Sequence, residues 1–276
     1  MTYRRRPAPR NSRPGRAGLV LALLVALPLG AAAAPDLADL TDADLVDLTH
    51  AFDTQTIYWP TARRFTLEPV AHGHTPGGWW YAANDFCAAE HGGTHLDAPI
   101  HFAEGGATAD TVPLRRLIGP AAVVDLTARA DADRDALLEV DDLEADERRH
   151  GAIPAGAIVL VRTGWAARWP DAARYLGTAV RGDTAGLHFP GVSEAAARWL
   201  VTARGVRAVG IDTASIDRGT SADFAAHRVL AAAGVPVFEN LASLDRLPPR
   251  RAVVVALPMK IRDGSGGPLR ALAILP

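Results

Sequence analysis

Short apolar runs rich in β-branched residues constrain this chain more than any other feature. Leu45-Val46-Asp47-Leu48-Thr49, Trp79 to Ala83, Ala121 to Asp125, Ile158 to Arg162, Arg207 to Ile211, Val235 to Phe238, Ala252 to Leu257 and Leu269 to Leu275 all have strand length and strand composition. Several, such as Ile158-Val159-Leu160-Val161, lack any polar alternation, so both faces of the strand need cover. Two helices are well signalled between them. One is predicted to start at Ser193 as N-cap, to turn Ala197, Leu200 and Val201 inward and to stop at Gly205. The other is predicted from near Ser221 to Gly234. Each runs straight into a strand, which points to an α/β fold with crossover connections.

The N-terminus reads as a separate element. Arg4-Arg5-Arg6 through Arg16 precede the apolar run Gly18 to Leu27 and a small-residue tract, Ala31 to Ala34. This is the pattern of a secretory signal peptide over residues 1–34. The apolar run is shorter than the ~18 to 20 residues a membrane span requires. The mature chain, 35–276, is long enough for one large domain and is expected to be exported, periplasmic or secreted, with no membrane attachment after cleavage. Its arginines are dispersed among acids and the whole chain carries a net charge of −2, which argues against a nucleic-acid partner. Cys87 is the single cysteine, so no intramolecular disulfide forms. Core packing is its expected role, ahead of a nucleophilic one.

Chemistry concentrates in His91-Gly92-Gly93-Thr94-His95-Leu96-Asp97-Ala98-Pro99-Ile100-His101-Phe102, with three histidines and one aspartate within eleven positions. The four-residue spacing of His91 and His95 suits a helix face, but Gly92, Gly93 and Pro99 oppose a helix, and a loop entering a strand fits better. From His95, every second position (Asp97, Pro99, His101) then shares one strand face. Imidazole and carboxylate together suit a divalent metal. The absence of thiolate disfavours a closed structural zinc site and favours one with a position open to water. Further ligands must come from elsewhere, and His188, His227 and Glu239 are the candidates. His227 lies on the helix predicted from Ser221, and Glu239 follows a buried strand, where α/β active sites collect.

Residues 128–150, rich in Asp, Glu and Arg, read as a solvated helix and loop with Asp141 to Arg149 outermost. Arg262 to Pro268 reads as a glycine-rich turn, because a phosphate cradle would need a lysine and a following helix. Trp59, Phe65, Trp79, Trp80 and Tyr81 flank the histidine cluster, either as walls of a pocket for a flat aromatic compound or as core.

The His91 to Phe102 segment resembles the H-x-G-T-H-x-D-x-P-x-H-F signature of the cyclase-like metal-dependent hydrolases, the family of bacterial kynurenine formamidase and isatin hydrolase. His227 and Glu239, twelve residues apart and followed by Asn240-Leu241, match the family's downstream pair. The resemblance extends to Leu48-Thr49-His50, Arg162-Thr163-Gly164-Trp165, His188-Phe189-Pro190-Gly191, Gly210 to Asp217 and Pro258 to Ile261. It implies a single domain of swivelling β/β/α fold and a homodimer or higher oligomer. His91, His95 and Asp97 would hold a first metal, and Asp97 would bridge to a second held by His101, His227 and Glu239, the ions being manganese or zinc, one or two per subunit. The implied reaction is cleavage of a carbon-nitrogen amide bond in a small cyclic or aryl amide by metal-activated water. His227 is the preferred proton carrier, with His101 next and Glu239 a further candidate. Arylformamidase activity and an exported, non-catalytic metal-binding protein are the alternatives.

Overall fold

The central strands of the main sheet form where apolar residues are buried on both sides. A computed structural model describes Thr2 and residues 37–276; the predicted signal peptide lies almost wholly outside the described residues. The strands are β1 (Leu45–Asp47), β2 (Thr66–His74), β3 (Trp80–Cys87), β4 (His95–Asp97), β5 (Ile118–Asp125), β6 (Leu137–Leu138), β7 (Ile158–Arg162), β8 (Gly191–Val192), β9 (Ala208–Ile211), β10 (Val237–Glu239), β11 (Arg250–Pro258) and β12 (Gly266–Ile274). The helices are α1 (Leu114–Leu117), α2 (Thr127–Ala132), α3 (Val140–His150), α4 (Ala172–Leu176), α5 (Glu194–Trp199) and α6 (Ala225–Ala232).

Eight strands form a sheet in the order β1-β12-β11-β5-β7-β9-β10-β4, and a further pairing of β4 with β12 closes it into a barrel. The central strands β5, β7, β9 and β10 are parallel; β4, β11 and β12 are antiparallel to their neighbours. Ala121, Val123, Ile158, Leu160 and Ala208 point into the barrel with Leu96, Phe238 and Val254. The intervening Ala122, Val124, Val159, Val161, Val209 and Ile211 pack against Leu143 of α3, Ala196 and Ala197 of α5 and Leu230 of α6. This two-sided burial is why the central strands show no polar alternation. No helix among the described residues is long and apolar enough to cross a membrane.

Several local expectations hold and several change. Ser193 caps α5 by accepting from the Ala196 amide at 3.1 Å, and after a π-helical turn over Leu200–Arg204 the helix stops at Gly205 in the left-handed region. The second helix starts at Ala225, four residues later than predicted. Ser221 Oγ instead accepts from the Phe224 amide at 3.1 Å, and Phe224 adopts φ 50°, so the helix begins only beyond it. Helix α3 is not wholly solvated, since Leu143 and Asp146 are buried. The strand predicted at Trp79 to Ala83 is part of a two-stranded ribbon, β2 with β3, that among the described residues pairs with neither other sheet. Trp79, Trp80 and Tyr81 are exposed there, forming neither core nor pocket wall, and Cys87 is half-buried at the ribbon's end.

Candidate metal centre

Strand register brings the two distant parts of the cluster together. Strand β4 lies between β10 and β12, with His95 opposite Glu239 and Asp97 opposite Gly266. A cross-strand pair places side chains within contact distance, so Glu239 meets the cluster from the adjacent strand. His227 reaches it from the first turn of α6. His101 arrives differently from the expected strand alternation. The strand ends at Asp97 and a 3-10 turn over Pro99–His101 swings His101 back to 4.0 Å from Asp97 Oδ2. His91 sits in the preceding loop, as expected. His188 is elsewhere, its Nδ1 2.7 Å from Asp135.

Asp97 is the hub. Its Oδ1 lies 2.6 Å from His91 Nδ1 and 3.1 Å from His95 Nε2, and its Oδ2 lies 3.0 Å from His227 Nε2. Glu239 adds Oε1 at 3.1 Å from His227 Nε2 and Oε2 at 3.6 Å from His95 Nε2. The ligand atoms fall into two groups that share Asp97, namely His91, Asp97 and His101, and His95, Asp97 and Glu239. This partition differs from the one the resemblance implied, which put His91 and His95 together.

The outer hydrogen bonds decide what the inner atoms are. His95 Nδ1 faces the Gly93 carbonyl at 2.9 Å, and His227 Nδ1 faces Asp217 Oδ2 at 2.7 Å. Carbonyl and carboxylate oxygens accept only, so these nitrogens carry the protons and each Nε2 turns a lone pair inward. His91 Nε2 contacts Ser265 Oγ at 2.8 Å, and that hydroxyl contacts Glu90 Oε2 at 2.7 Å. Lone pairs of three imidazoles therefore converge on two buried carboxylates, an arrangement stable only with cations between them. The residues fit a divalent metal.

Without metal, protons take that place. Burial opposes charge on His227, but hydrogen bonds to Asp217, Asp97 and Glu239 outweigh it and hold the imidazole well above its usual range. Burial likewise raises Asp97, yet the His91 charge and bonds from His227, His91 and His95 hold it well below the carboxylate range. Burial and the Asp97 charge raise Glu239. A raised His227 means the proton competes with metal. Metal affinity is therefore expected to fall about tenfold per pH unit per proton displaced on going from pH 8 to pH 5, with proton uptake or release visible by titration calorimetry in two buffers. An affinity that is flat across that range would contradict the assignment of these nitrogens as ligands.

Supporting residues were harder to read from the sequence. Asp217 lies within a matched segment but ten positions before His227, a spacing with no periodic meaning. Its carboxylate also accepts from the amides of Ala226 at 2.9 Å and His227 at 3.1 Å, capping α6 from outside the helix. The Ile216 amide donates to Glu239 Oε1 at 2.7 Å, and Asn240 Nδ2 to the Gly93 carbonyl at 2.8 Å. Backbone donors leave no sequence signal.

A water-accessible cluster of acceptor lone pairs, at the ends of strands in an α/β barrel and beneath an apolar cavity, defines the class: a metal-dependent hydrolase. Comparison with known proteins narrows it. The putative cyclase family model matches residues 46–218. An isatin hydrolase of Roseibium aggregatum is 38% identical over 208 residues, covering 72% of this chain and 77% of that protein. A kynurenine formamidase of Salinibacter ruber is 30% identical over 241 residues, covering 83% of this chain and 96% of that protein. Among solved structures, isatin hydrolase A from Ralstonia solanacearum superposes with a TM-score of 0.76 at 38% identity, over 84% of this chain and 92% of that one. The chain belongs to the putative cyclase family, and it is a metal-dependent amide hydrolase with the α/β fold of the cyclase-like hydrolases.

Proposed function

We propose that this chain opens the amide bond of a small, flat, cyclic aryl amide of the isatin type, with arylformamide cleavage as the second reading. The observation that carries this is a cavity of about 340 Å³ directly over the metal centre, walled by Ile57, Tyr58, Trp59, Phe102 and Phe224. Such a volume accepts a compound of one or two fused rings, and its walls suit an aromatic face. Of the five aromatics that flank the motif in sequence, Trp59 lines this cavity; Tyr58, Phe102 and Phe224 supply the other aromatic walls. The relative called isatin hydrolase is more similar than the one called kynurenine formamidase, which supports the order of the two readings. Incubating the metal-loaded protein with isatin and with N-formylkynurenine tests it. Faster isatin turnover is expected; faster turnover of N-formylkynurenine would reverse the order, and hydrolysis of neither would favour a metal-binding protein without turnover.

The set of four histidines with Asp97 and Glu239, without thiolate, suits manganese or zinc. The two ligand groups sharing Asp97 support one or two ions per subunit. A bound divalent ion brings the pKa of water from about 16 toward neutrality and polarises the amide carbonyl. The protein must then move a proton to the leaving nitrogen. His227 was the first choice from sequence, but both of its nitrogens are engaged, with Asp217 on one side and Asp97 and Glu239 on the other. With a single ion held by His95, Asp97 and Glu239, His101 is left free of metal, and we assign the proton to it; its side chain is 32% exposed and lines the cavity. Burial pushes its imidazole down to about 4, so it enters the cycle neutral, as an acceptor of the proton it later hands on. Phe102, stacked on His227 at 4.4 Å, helps exclude water from that side.

Self-association and export complete the proposal. An isolated two-stranded ribbon is marginal in water, yet β2–β3 carries Leu67, Val70, Trp80, Tyr81 and Phe86 more than half exposed. We read it as the arm of a homodimer. Light scattering is expected to give twice the chain mass, and replacing Trp80 and Phe86 with glutamate to give monomers; a monomeric parent would sink the idea. Export with cleavage near residue 34 is checked by N-terminal sequencing of protein from the periplasmic fraction.

A further inference from the structure

We propose that Glu90 and the segment Gly264-Ser265-Gly266 form a clamp that fixes the orientation and tautomer of His91 as a metal ligand. This rests on the metal-centre reading above and gives a role to a loop 174 residues from His91, one that the sequence marked only as a turn.

His91 needs such a device more than its neighbours do. His95 is held in a strand and His227 in a helix, both nearly fully buried. His91 lies in a loop with its side chain 25% exposed, against the ring of His101 at 3.9 Å. Its orientation therefore depends on its hydrogen bonds. Nε2 lies 2.8 Å from Ser265 Oγ, and Nδ1 lies 2.6 Å from Asp97 Oδ1.

The direction of the chain follows from Glu90. Its Oε2 accepts from Ser265 Oγ at 2.7 Å and from the Ser265 amide at 3.0 Å, so one carboxylate oxygen holds both the backbone and the side chain of the serine. A carboxylate accepts only, which commits the hydroxyl proton to Glu90 and turns the Ser265 lone pairs toward the ring. His91 Nε2 must then carry a proton and Nδ1 must present its lone pair to the metal position beside Asp97. A serine free of Glu90 could donate to Nε2 instead, and the ring would then carry its proton on the wrong nitrogen.

The two flanking glycines make the approach possible. A Cβ on Gly266 would meet the Leu96 carbonyl of the paired strand and lie 2.6 Å from His91 Cε1, and one on Gly264 would lie 2.8 Å from Glu90 Oε1. Either side chain would push the ring or the carboxylate out of place. The glycine-rich run thus serves close approach to a metal ligand. It cannot cradle an anion through Ser265, because that amide already serves Glu90.

Zinc or manganese affinity of the metal-stripped protein, read by competition with a chromophoric chelator, tests the clamp without reference to turnover. Ser265→Ala and Glu90→Ala are each expected to weaken affinity about 10- to 100-fold, the range for outer partners of a ligating histidine. Melting of the metal-free forms is expected to stay at the parent value, since the loop contributes little buried apolar surface. Glu90→Gln, which keeps an acceptor facing Ser265, is expected to recover most of the affinity lost in Glu90→Ala. Alanine variants that bind as tightly as the parent would overturn the clamp, as would a loss that Glu90→Gln fails to recover. A parent that binds no metal would instead overturn the metal-centre reading itself.

Discussion

Asp97→Asn is expected to abolish metal binding and to lower kcat/KM at least on the order of 10³-fold, or about 4 kcal/mol of transition-state stabilisation. The size follows from how much converges on one side chain. Asp97 faces His91, His95 and His227 within 3.1 Å, belongs to both candidate ligand groups, and is 5% exposed. Asparagine has nearly the same shape but has no charge, and it puts an amide NH2, a donor only, in place of one of the two carboxylate oxygens. Metal analysis of the purified variant alongside initial rates would check this. Retention of full metal content with more than a tenth of parental activity is the result the assignment could not survive.

The second large effect is expected from a residue that touches no candidate metal position. Asp217→Ala removes a buried carboxylate that accepts from two amides at the start of α6 and from His227 Nδ1. Three donors would be left unpaired in a site where Asp217 is only 4% exposed. We expect a stability loss of about 3 kcal/mol or more, equivalent to a fall in Tm of roughly 6–12 °C for a chain of this size. Metal affinity should fall about 10- to 100-fold as well, because His227 loses the partner that selects its tautomer. Melting of the metal-free variant separates the two contributions. An unchanged Tm would mean that the α6 terminus does not depend on Asp217.

The parts of this protein that are legible in its sequence are those governed by local rules. Ser193 followed by alanines and closed by Gly205 is a helix with its start and stop in the text, and both ends fell where predicted. Ile158 to Arg162 could hardly be anything but a strand covered on both faces. Positions governed by distant partners depart from what local rules predict. The Ser221 hydroxyl looks like an N-cap, but the helix begins only after Phe224 because the capping carboxylate comes from Asp217. Trp79, Trp80 and Tyr81 look like core or pocket on hydrophobicity alone, yet they lie on a ribbon that pairs with no other strand among the described residues, and they stay exposed. His101 looked like the last residue of an alternating strand until Pro99 converted that stretch into a turn.

The sequence by itself determined which side chains are available for a metal and which twelve-residue segment carries most of them, because ligand chemistry is a property of residue type. It also determined the α/β class, since strands buried on both faces must lack polar alternation. Only the tertiary structure decided how Asp97 is shared, which nitrogen of each imidazole faces inward, and why glycines flank Ser265. Those outcomes depend on β4 lying between β10 and β12, a pairing that joins residues 140 or more positions apart through backbone hydrogen bonds. Backbone donors and acceptors are the same in every residue, so no pattern of side chains can announce where they will meet.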